Sequence, residues 1–385
     1  MGRPPIRTLH VFRTFLGGGV EIGLLRLLRH IDREHIKFDF CTLWPLPANS
    51  ASFCEEIRVL GARILPCHFL PNSATFPFRY RRILRTGQYD VVECHSGWTA
   101  GVVLRQASLE GVPVRVANCH DSSDLKLSTP WRIAWRATMK AWIQKYMTAG
   151  LAVSAGAAEY MFGPRWRSDP RLRLFYPGMD LEPFRADPLR DETRRELGIP
   201  VEAPVVGHVG RFIWKKKHAF LLEVAQEVLK SRPEVRFLLV GDGPLRPHIE
   251  AMARELGIEK SVILTGARPD TEIPRLMLSA MDVFAFPSFE EGLGRVLVEA
   301  QAAGLRALAS DAVPSEASVV PGAVEYLSLS CGAKHWAERL LRMIESGRVE
   351  RPMALRAVEQ SDFNIQQSCR ELTRMYELCL ATRRR

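Results

Sequence analysis

Two carboxylates, Glu291 and Glu299, bracket a glycine turn in the stretch FAFPSFEEGLGRVLVEAQAAG, residues 284–304. Residues 284–286 are apolar and aromatic with no helical period, and Pro287 then removes a backbone donor, so they read as a buried parallel strand. Residues 288–294 form an acidic turn, the small and straight-chain side chains of 295–303 favour a helix, and Gly304 stops it. Strand, glycine turn and helix in succession aim backbone N–H groups and a helix N-terminus at an anion. Leu293, Gly294 and Arg295 stand where those N–H groups are needed. Glu291 and Glu299 are eight residues apart, roughly two turns at about 3.6 residues per turn, so both can line one side of a crevice. Carboxylates accept from sugar hydroxyls while N–H groups hold a diphosphate, so the turn suits a ligand that carries both. Surface acids drawn to a helix N-terminus by its dipole would leave the same pattern, and the rest of the chain has to separate the two readings.

Cationic and imidazole groups recur at the ends of other strand-like runs. The strand at 205–209 runs into Gly210-Arg211 and then Lys215-Lys216-Lys217, where Arg211 and one of the lysines can meet phosphate charge. The strands at 90–94 and 114–119 end in His95 and His120, at the lip of the sheet where ligands bind in this kind of fold. Either histidine can face a reaction centre, and either can equally be a hydrogen-bonded structural group. Gly17-Gly18-Gly19 follows the strand at 8–12 and opens a helix at Val20-Glu21, a second potential phosphate cradle. It is not G-x-x-x-x-G-K-[ST], which excludes a P-loop. Nor is it G-x-G-x-x-G, and the next strand ends at Trp44-Pro45 with no acid for an NAD ribose, which argues against a dehydrogenase.

The elements that must position these groups alternate along the whole chain. Strand patterns at 8–12, 38–43, 63–65, 90–94, 114–119, 151–154 and 172–176 are separated by helical ones, and so are those at 205–209, 236–240, 262–265, 282–286, 306–310 and 324–327. Helices between all six strands of the second half imply a parallel doubly wound sheet, and the first half follows the same pattern. The fold class is therefore α/β, two doubly wound Rossmann-like domains facing a central cleft. The proline- and charge-rich stretch at 182–204 sets the boundaries: 1–183, 184–363, and a C-terminal helix over 364–385 that packs back on the first domain.

The 385 residues suffice for two domains, and 46% hydrophobic content describes a globular chain. No apolar run approaches the about 20 residues of a membrane span, and the opening MGRPPIRTLHVF carries neither a signal-peptide nor a myristoylation pattern. Eight cysteines lack any C-x-x-C pair, which points to reduced thiols in a cytosolic protein without a zinc site. Of the formal net charge of +10, residues 1–182 carry +9, which suggests an anionic partner on that side. Trp131, Trp135, Met139, Trp142 and Tyr146 form one helical stripe beside Arg132, Arg136 and Lys140, and residues 78–85 mix aromatic and basic side chains similarly. Such mixtures suit a lipid headgroup layer, and suit equally well a helix packing its aromatic face inward.

Taken together, GHVGRF, VGDGPL, TGARPD, AFPSFEEGLGRVLVEAQAAG and LASD resemble the nucleotide-binding domain of the retaining glycosyltransferases of family 4, with the two-Rossmann architecture called GT-B. GGGVE, the strand ending in His95, NCH at 118–120 and AVSAGAAEYMFG match the first domain in the same order. The narrower resemblance is to the exopolysaccharide and capsule subgroup. The resemblance implies that Arg211 and Lys216 hold the diphosphate of a nucleotide sugar and stabilise the departing charge. It implies further that Glu291 contacts the donor sugar, that Gly292, Leu293 and Gly294 offer N–H groups, and that Glu299 takes the ribose hydroxyls. Gly266, Ala267 and Arg268 would lie against the base, Gly18 and Gly19 would close on the phosphates, and His120 would sit near donor sugar and acceptor. The implied reaction transfers a sugar to an acceptor hydroxyl, glycan or lipid-linked, with retention, and needs no metal because Arg and Lys supply the charge. Two positions depart from the family: Pro177-Gly178 stands for the usual Asn-Gly, and Lys217 for the usual Gly after the phosphate lysine. A nucleotide-sugar epimerase, an inverting transferase and a non-catalytic sugar-nucleotide or polyanion binder are the competing readings. Nucleic acid has only the net charge in its favour. The expected location is cytoplasmic, with the basic domain on the inner face of the membrane.

Overall fold

The short apolar runs pair in parallel with their neighbours, as strands covered by helices on both faces do. The computed structural model describes residues 4–15, 18–47, 50–69, 74–123 and 129–383. Its first unit contains β1 (Ile6–Phe12), α1 (Gly19–His30), β2 (Ile36–Thr42), α2 (Ala51–Val59), β3 (Arg63–Pro66), α3 (Phe76–Gly87) and β4 (Val91–Cys94). The chain continues through α4 (Ala100–Leu109), β5 (Val114–Cys119), α5 (Pro130–Tyr146), β6 (Ala149–Ala152), α6 (Ala155–Phe162) and β7 (Leu172–Leu174). The seven strands lie in the order β3-β2-β1-β4-β5-β6-β7, so the chain reverses its direction of winding between β1 and β4.

Local sequence explains the helices. Leu24, Leu25, Leu27 and Leu28 of α1 are buried against the sheet, and in α3 the i, i+4, i+8 set Phe76, Tyr80 and Leu84 is buried. Ser154 caps α6 by accepting from the Ala157 N–H at 3.2 Å. The aromatic stripe expected on α5 divides: Met139 is buried, while Trp131, Ile133 and Trp135 are exposed. Arg105 lies over the Trp142 ring at 4.9 Å. Phe78 is 75% exposed, on the side of α3 opposite its buried set.

The second unit contains α7 (Arg190–Glu196), β8 (Val205–Val209), α8 (His218–Ser231), β9 (Arg236–Val240), α9 (Arg246–Glu255), β10 (Val262–Leu264) and α10 (Ile273–Ser279). It goes on to β11 (Val283–Phe286), α11 (Arg295–Ala302), β12 (Arg306–Ser310), β13 (Val324–Leu327), α12 (Gly332–Ser346) and α13 (Arg351–Glu359). Its six parallel strands are ordered β10-β9-β8-β11-β12-β13, with the reversal between β8 and β11. Arg194, 0% exposed, clasps this unit: it donates to the carbonyls of Val201, Ala203 and Ala280 and to Asp282 Oδ2 at 2.7 Å.

One expectation is corrected. No helix separates β12 from β13; among the described residues that connection holds only a turn of 3-10 helix at Ser315–Ala317. Pro314 and Pro321 interrupt the stretch, and Gln301 of α11 replaces a helix as its support. The Gln301 amide donates to the Ala317 carbonyl at 2.7 Å, and its Oε1 accepts from the N–H groups of Val319 and Val320 at 2.8 and 2.9 Å.

The last helix, α14 (Ile365–Arg383), belongs to the first unit, where Leu372, Met375 and Tyr376 join the core around β1 and β4. The structure divides the chain after Met179 and before Ile365, against 183 and 364 from the sequence. Gly178 is required there: a Cβ on it would lie 2.5 Å from the Ile365 Cα. The glycine of the Pro177-Gly178 departure thus has a packing reason, whatever residue precedes it.

Candidate active site

In an open parallel sheet, ligands bind beyond the carboxyl ends of the strands where the winding reverses. In the second unit that point lies between the loop after β8, which carries Arg211 and Lys216, and the loop after β11, which carries Glu291 to Gly294. Two adjacent ion pairs join these loops, Lys216 Nζ to Glu291 Oε1 at 2.5 Å and Lys215 Nζ to Glu290 Oε2 at 2.8 Å. The Phe289 N–H also donates to the Lys215 carbonyl at 2.7 Å. Lys216 lies over the Phe286 ring, 4.8 Å from its centroid, so its ammonium is held against the end of β11.

The three rival lysines are thereby distinguished. Lys216 pairs with Glu291 and Lys215 with Glu290, while Lys217 turns the chain into α8 at φ +53°, the left-handed region. Glycine adopts that conformation without steric cost, in keeping with the glycine that the resemblance leads one to expect at this position. Arg211 is exposed, and among the described residues no carboxylate pairs with it.

Gly294 precedes α11 at φ +83°, and a Cβ there would meet Phe286 and Val313 at 3.0 and 3.1 Å. Glu299 is buried on α11, and Leu293 in the turn before that helix is buried too. Gly266, Ala267 and Arg268 follow β10, two strands away at the same sheet edge. Ala267 and Arg268 are exposed, and Arg268 pairs with Glu272 at 3.5 Å.

The loops at this edge are stitched by main chain. The Gly210 N–H donates to the Val240 carbonyl, Phe212 to Asp242, Leu245 to Phe212 and Gly241 to Gly266, all at 2.9–3.1 Å. Such approach requires the glycines of GDGP: a Cβ would fall 2.0 Å from the Gly210 carbonyl oxygen at Gly241 and 2.5 Å from that of Phe212 at Gly243. Beneath Lys216 lie two buried imidazoles that sequence reasoning passed over, His208 and His218, crossing at 4.8 Å between ring centroids. His208 Nδ1–H donates to the Ala285 carbonyl at 2.9 Å. Burial chiefly, with Lys216 adding, lowers His208 to about 4, and burial with His208 and Lys216 lowers His218 to about 2. Both are neutral at physiological pH. A histidine inside the apolar run VVGHV was the available signal.

Gly18, Gly19 and His120 belong to the first unit. Gly18 is the N-cap of α1, and a Cβ on it would come 2.9 Å from Glu21 Oε2 in the first helical turn. Gly19 is exposed, and Gly17 lies outside the described residues. Beyond the carboxyl ends of β4 and β5, His95 and His120 are not alternatives, because His95 Nδ1 is 2.9 Å from His120 Nε2. His95 Nε2 in turn is 3.1 Å from His10 Nδ1 of β1 and 3.4 Å from Glu93 Oε1 of β4. Asn118 of β5 and Tyr376 of α14 donate to Glu93 at 2.7 and 2.6 Å. His10, Glu93 and His95 place one ligand-type atom each within 4.8 Å of one another, and those atoms are engaged in this hydrogen-bonded cluster. Sequence reasoning singled out His95 and His120 but missed His10, Glu93 and Tyr376; a carboxylate within VVEC was the signal.

No helix among the described residues is long and apolar enough to cross a membrane. Residues 17–183 match the family model Glycosyltransferase Family 4, and residues 190–360 match Glycosyl transferases group 1. EpsF of Bacillus subtilis (strain 168), whose naming as a glycosyltransferase is provisional, is 33% identical over 377 residues, covering 97% of this chain and 96% of that protein. The D-inositol 3-phosphate glycosyltransferase of Corynebacterium glutamicum (strain R) is 30% identical over 394 residues, 94% of this chain and 92% of the relative. Among solved structures, Anabaena HepE in complex with UDP has the same fold, with a TM-score of 0.79 at 19% identity over 97% of this chain and 100% of that one. Matched by glycosyltransferase models in both halves and by a relative along almost its full length, the chain belongs to glycosyltransferase family 4 and has the GT-B fold.

Proposed function

We propose that this glycosyltransferase moves a sugar from a nucleotide-diphosphate sugar, UDP- or GDP-linked, to an acceptor hydroxyl with retention at the anomeric carbon. The observation that carries this reading is the Lys216–Glu291 pair at the point of reversed winding, with the exposed Arg211 on the same loop. When a diphosphate enters, Lys216 and Arg211 turn to its oxygens, and Glu291 is released to accept from a hydroxyl of the donor sugar. As the bond between the anomeric carbon and the phosphate oxygen breaks, its electron pair goes to the phosphate, and the two cations stabilise that charge. These cations supply what a metal would, so no metal is required. Gly292, Leu293 and Gly294 offer main-chain N–H groups at the α11 N-terminus, and Glu299 takes the ribose hydroxyls. Gly266, Ala267 and Arg268 meet the base. In the first unit, Gly18 and Gly19 bind phosphate and His120 contacts the sugar undergoing transfer. UDP in the HepE crystal and the full-length likeness to EpsF support a nucleotide-sugar donor.

The acceptor we propose is a lipid-linked or growing glycan of exopolysaccharide or cell-envelope synthesis, reached from the cytoplasmic face of the membrane. Trp131, 69% exposed, and Ile133 and Trp135 lie on α5 with Arg132 and Arg136, Phe78 lies on α3 with Arg79 and Arg82, and this half of the chain carries +9. Nucleic acid is not a partner in this reading. The test is transfer from a panel of UDP- and GDP-sugars to lipid-linked monosaccharide acceptors, with product stereochemistry read by NMR. Retention supports the reading and inversion contradicts it. Failure to float with anionic liposomes at low salt would remove the membrane part alone.

A further inference from the structure

Trp214 and Phe289 are 50% and 43% exposed, the only exposed tryptophan and phenylalanine of the second unit among the described residues, and their rings meet across two loops. Trp214 opens the turn of 3-10 helix after β8 and Phe289 stands in the loop after β11, at the sheet edge that carries Lys216 and Glu291. The sugar transfer proposed above uses neither ring. We infer that Trp214 and Phe289 form a stacking subsite for a pyranose ring of the glycan acceptor. The inference deepens the proposed function and rests on its acceptor being a glycan.

Main chain and charge fix the two loops to each other. The Phe289 N–H donates to the Lys215 carbonyl at 2.7 Å, and Lys215 Nζ pairs with Glu290 Oε2 at 2.8 Å. The ring centroids stand 5.8 Å apart with their planes at 49°, so the faces splay instead of closing on each other. A cation steadies each ring: Lys215 Nζ is 5.9 Å from the Trp214 centroid and Lys217 Nζ is 5.2 Å from that of Phe289. Lys217 adopts φ +53°, which strains a lysine and not a glycine, and what its side chain gains there is the Phe289 ring.

An aromatic face is negative and attracts the C–H groups of a sugar ring, whose hydroxyls then point outward to polar neighbours. Lys217, held over Phe289, is such a neighbour and donates to a hydroxyl. A nucleobase would also stack, but the proposed function gives the base to Gly266, Ala267 and Arg268 after β10, two strands from β8. An anionic bilayer is the poorer match. Glu290 and Glu291 follow Phe289 directly and balance Lys215 and Lys216, so of the three lysines only Lys217 adds net positive charge.

With 5-fluorotryptophan in place of the eight tryptophans, ¹⁹F NMR of the full chain reads Trp214 directly, and Trp214→Phe assigns its resonance. The probes are the methyl glycosides of glucose, galactose, mannose and N-acetylglucosamine, titrated at millimolar concentration. The expected result is a Trp214 resonance that shifts with at least one glycoside while those of Trp131 and Trp135, also exposed, stay in place. In Phe289→Ala the titration midpoint rises at least about fivefold. No shift with any glycoside, a shift shared by Trp131, or an unchanged midpoint in Phe289→Ala overturns the inference. A Trp214 resonance that moves only with UDP- or GDP-sugars, or broadens only on phosphatidylglycerol vesicles, overturns it too, giving the rings to the base or to lipid. Should Phe289→Ala fail to fold, the contrast between Trp214 and Trp131 in the parent chain still decides. Glycoside binding without nucleotide-sugar binding would sink the proposed donor site and leave this subsite standing, and the reverse would sink the subsite alone.

Discussion

Acidification from pH 7.5 to 5.0 should loosen the second unit through His208 and His218. Both are buried and neutral in the fold, lowered from 6.5 to about 4 and about 2. The unfolded chain takes up a proton on each below pH 6.5 and the folded chain does not. Their contribution is therefore intact above 6.5 and is lost as pH falls from there toward the folded values. At pH 5.0 each forfeits about 2 kcal/mol, so the pair costs about 4 kcal/mol, a large part of the roughly 5–15 kcal/mol that stabilises a domain. Peptide-resolved hydrogen exchange across β8, β9 and β11, corrected for intrinsic rate, reads the loss within this unit. His218→Leu isolates one group. Neither ring nitrogen of His218 has a hydrogen-bond partner among the described residues, so the change should be near neutral at pH 7.5 and halve the drop at pH 5.0. Protection that does not fall between the two pH values, or an equal drop in His218→Leu, would refute the reasoning.

Two substitutions test the scaffold of the site. Gly241→Ala forces a Cβ to 2.0 Å from the Gly210 carbonyl oxygen at φ +142°, and should lower the urea midpoint by the equivalent of about 3 kcal/mol or more. Because Gly210 leads into the Arg211–Lys216 loop, donor affinity should fall with it. Asp282→Asn leaves the fully buried Arg194 guanidinium without its countercharge, a loss of about 3–5 kcal/mol in denaturant unfolding. A loss below about 1 kcal/mol would mean that the carbonyls of Val201, Ala203 and Ala280 suffice.

The strands were legible because Gly, Pro and period-free apolar runs punctuate this chain clearly, most of all at Pro287, Gly294 and Gly304 around α11. The same local logic failed between β12 and β13, where alternation suggested a helix and Gln301 supports a proline-interrupted loop instead. It also read Trp131, Trp135 and Met139 as one stripe, although α5 docks only Met139 of these. The acids and cations of the second unit were legible because each follows its strand directly. The imidazole cluster was not, since its members come from β1, β4, β5 and α14, and Tyr376 lies 283 residues from Glu93. Their order on one face of a sheet follows from strand order, which no local pattern contains. The role of Gly241 and Gly243 was hidden likewise: the motif is visible, but the Gly210 and Phe212 main chain that they admit arrives from another strand.

The central claim is that the crevice between β8 and β11 binds a nucleotide sugar through Arg211, Lys216, Glu291 and Glu299. Calorimetric titration with a panel of UDP- and GDP-sugars, run in parallel on the parent chain and Glu299→Ala, tests it most directly. Selective binding of one nucleotide sugar by the parent, lost in the variant, is the predicted result. No binding to any of them would contradict the assignment and leave a polyanion scaffold as the better description, and equal binding by Glu299→Ala would contradict the placing of the ribose at Glu299.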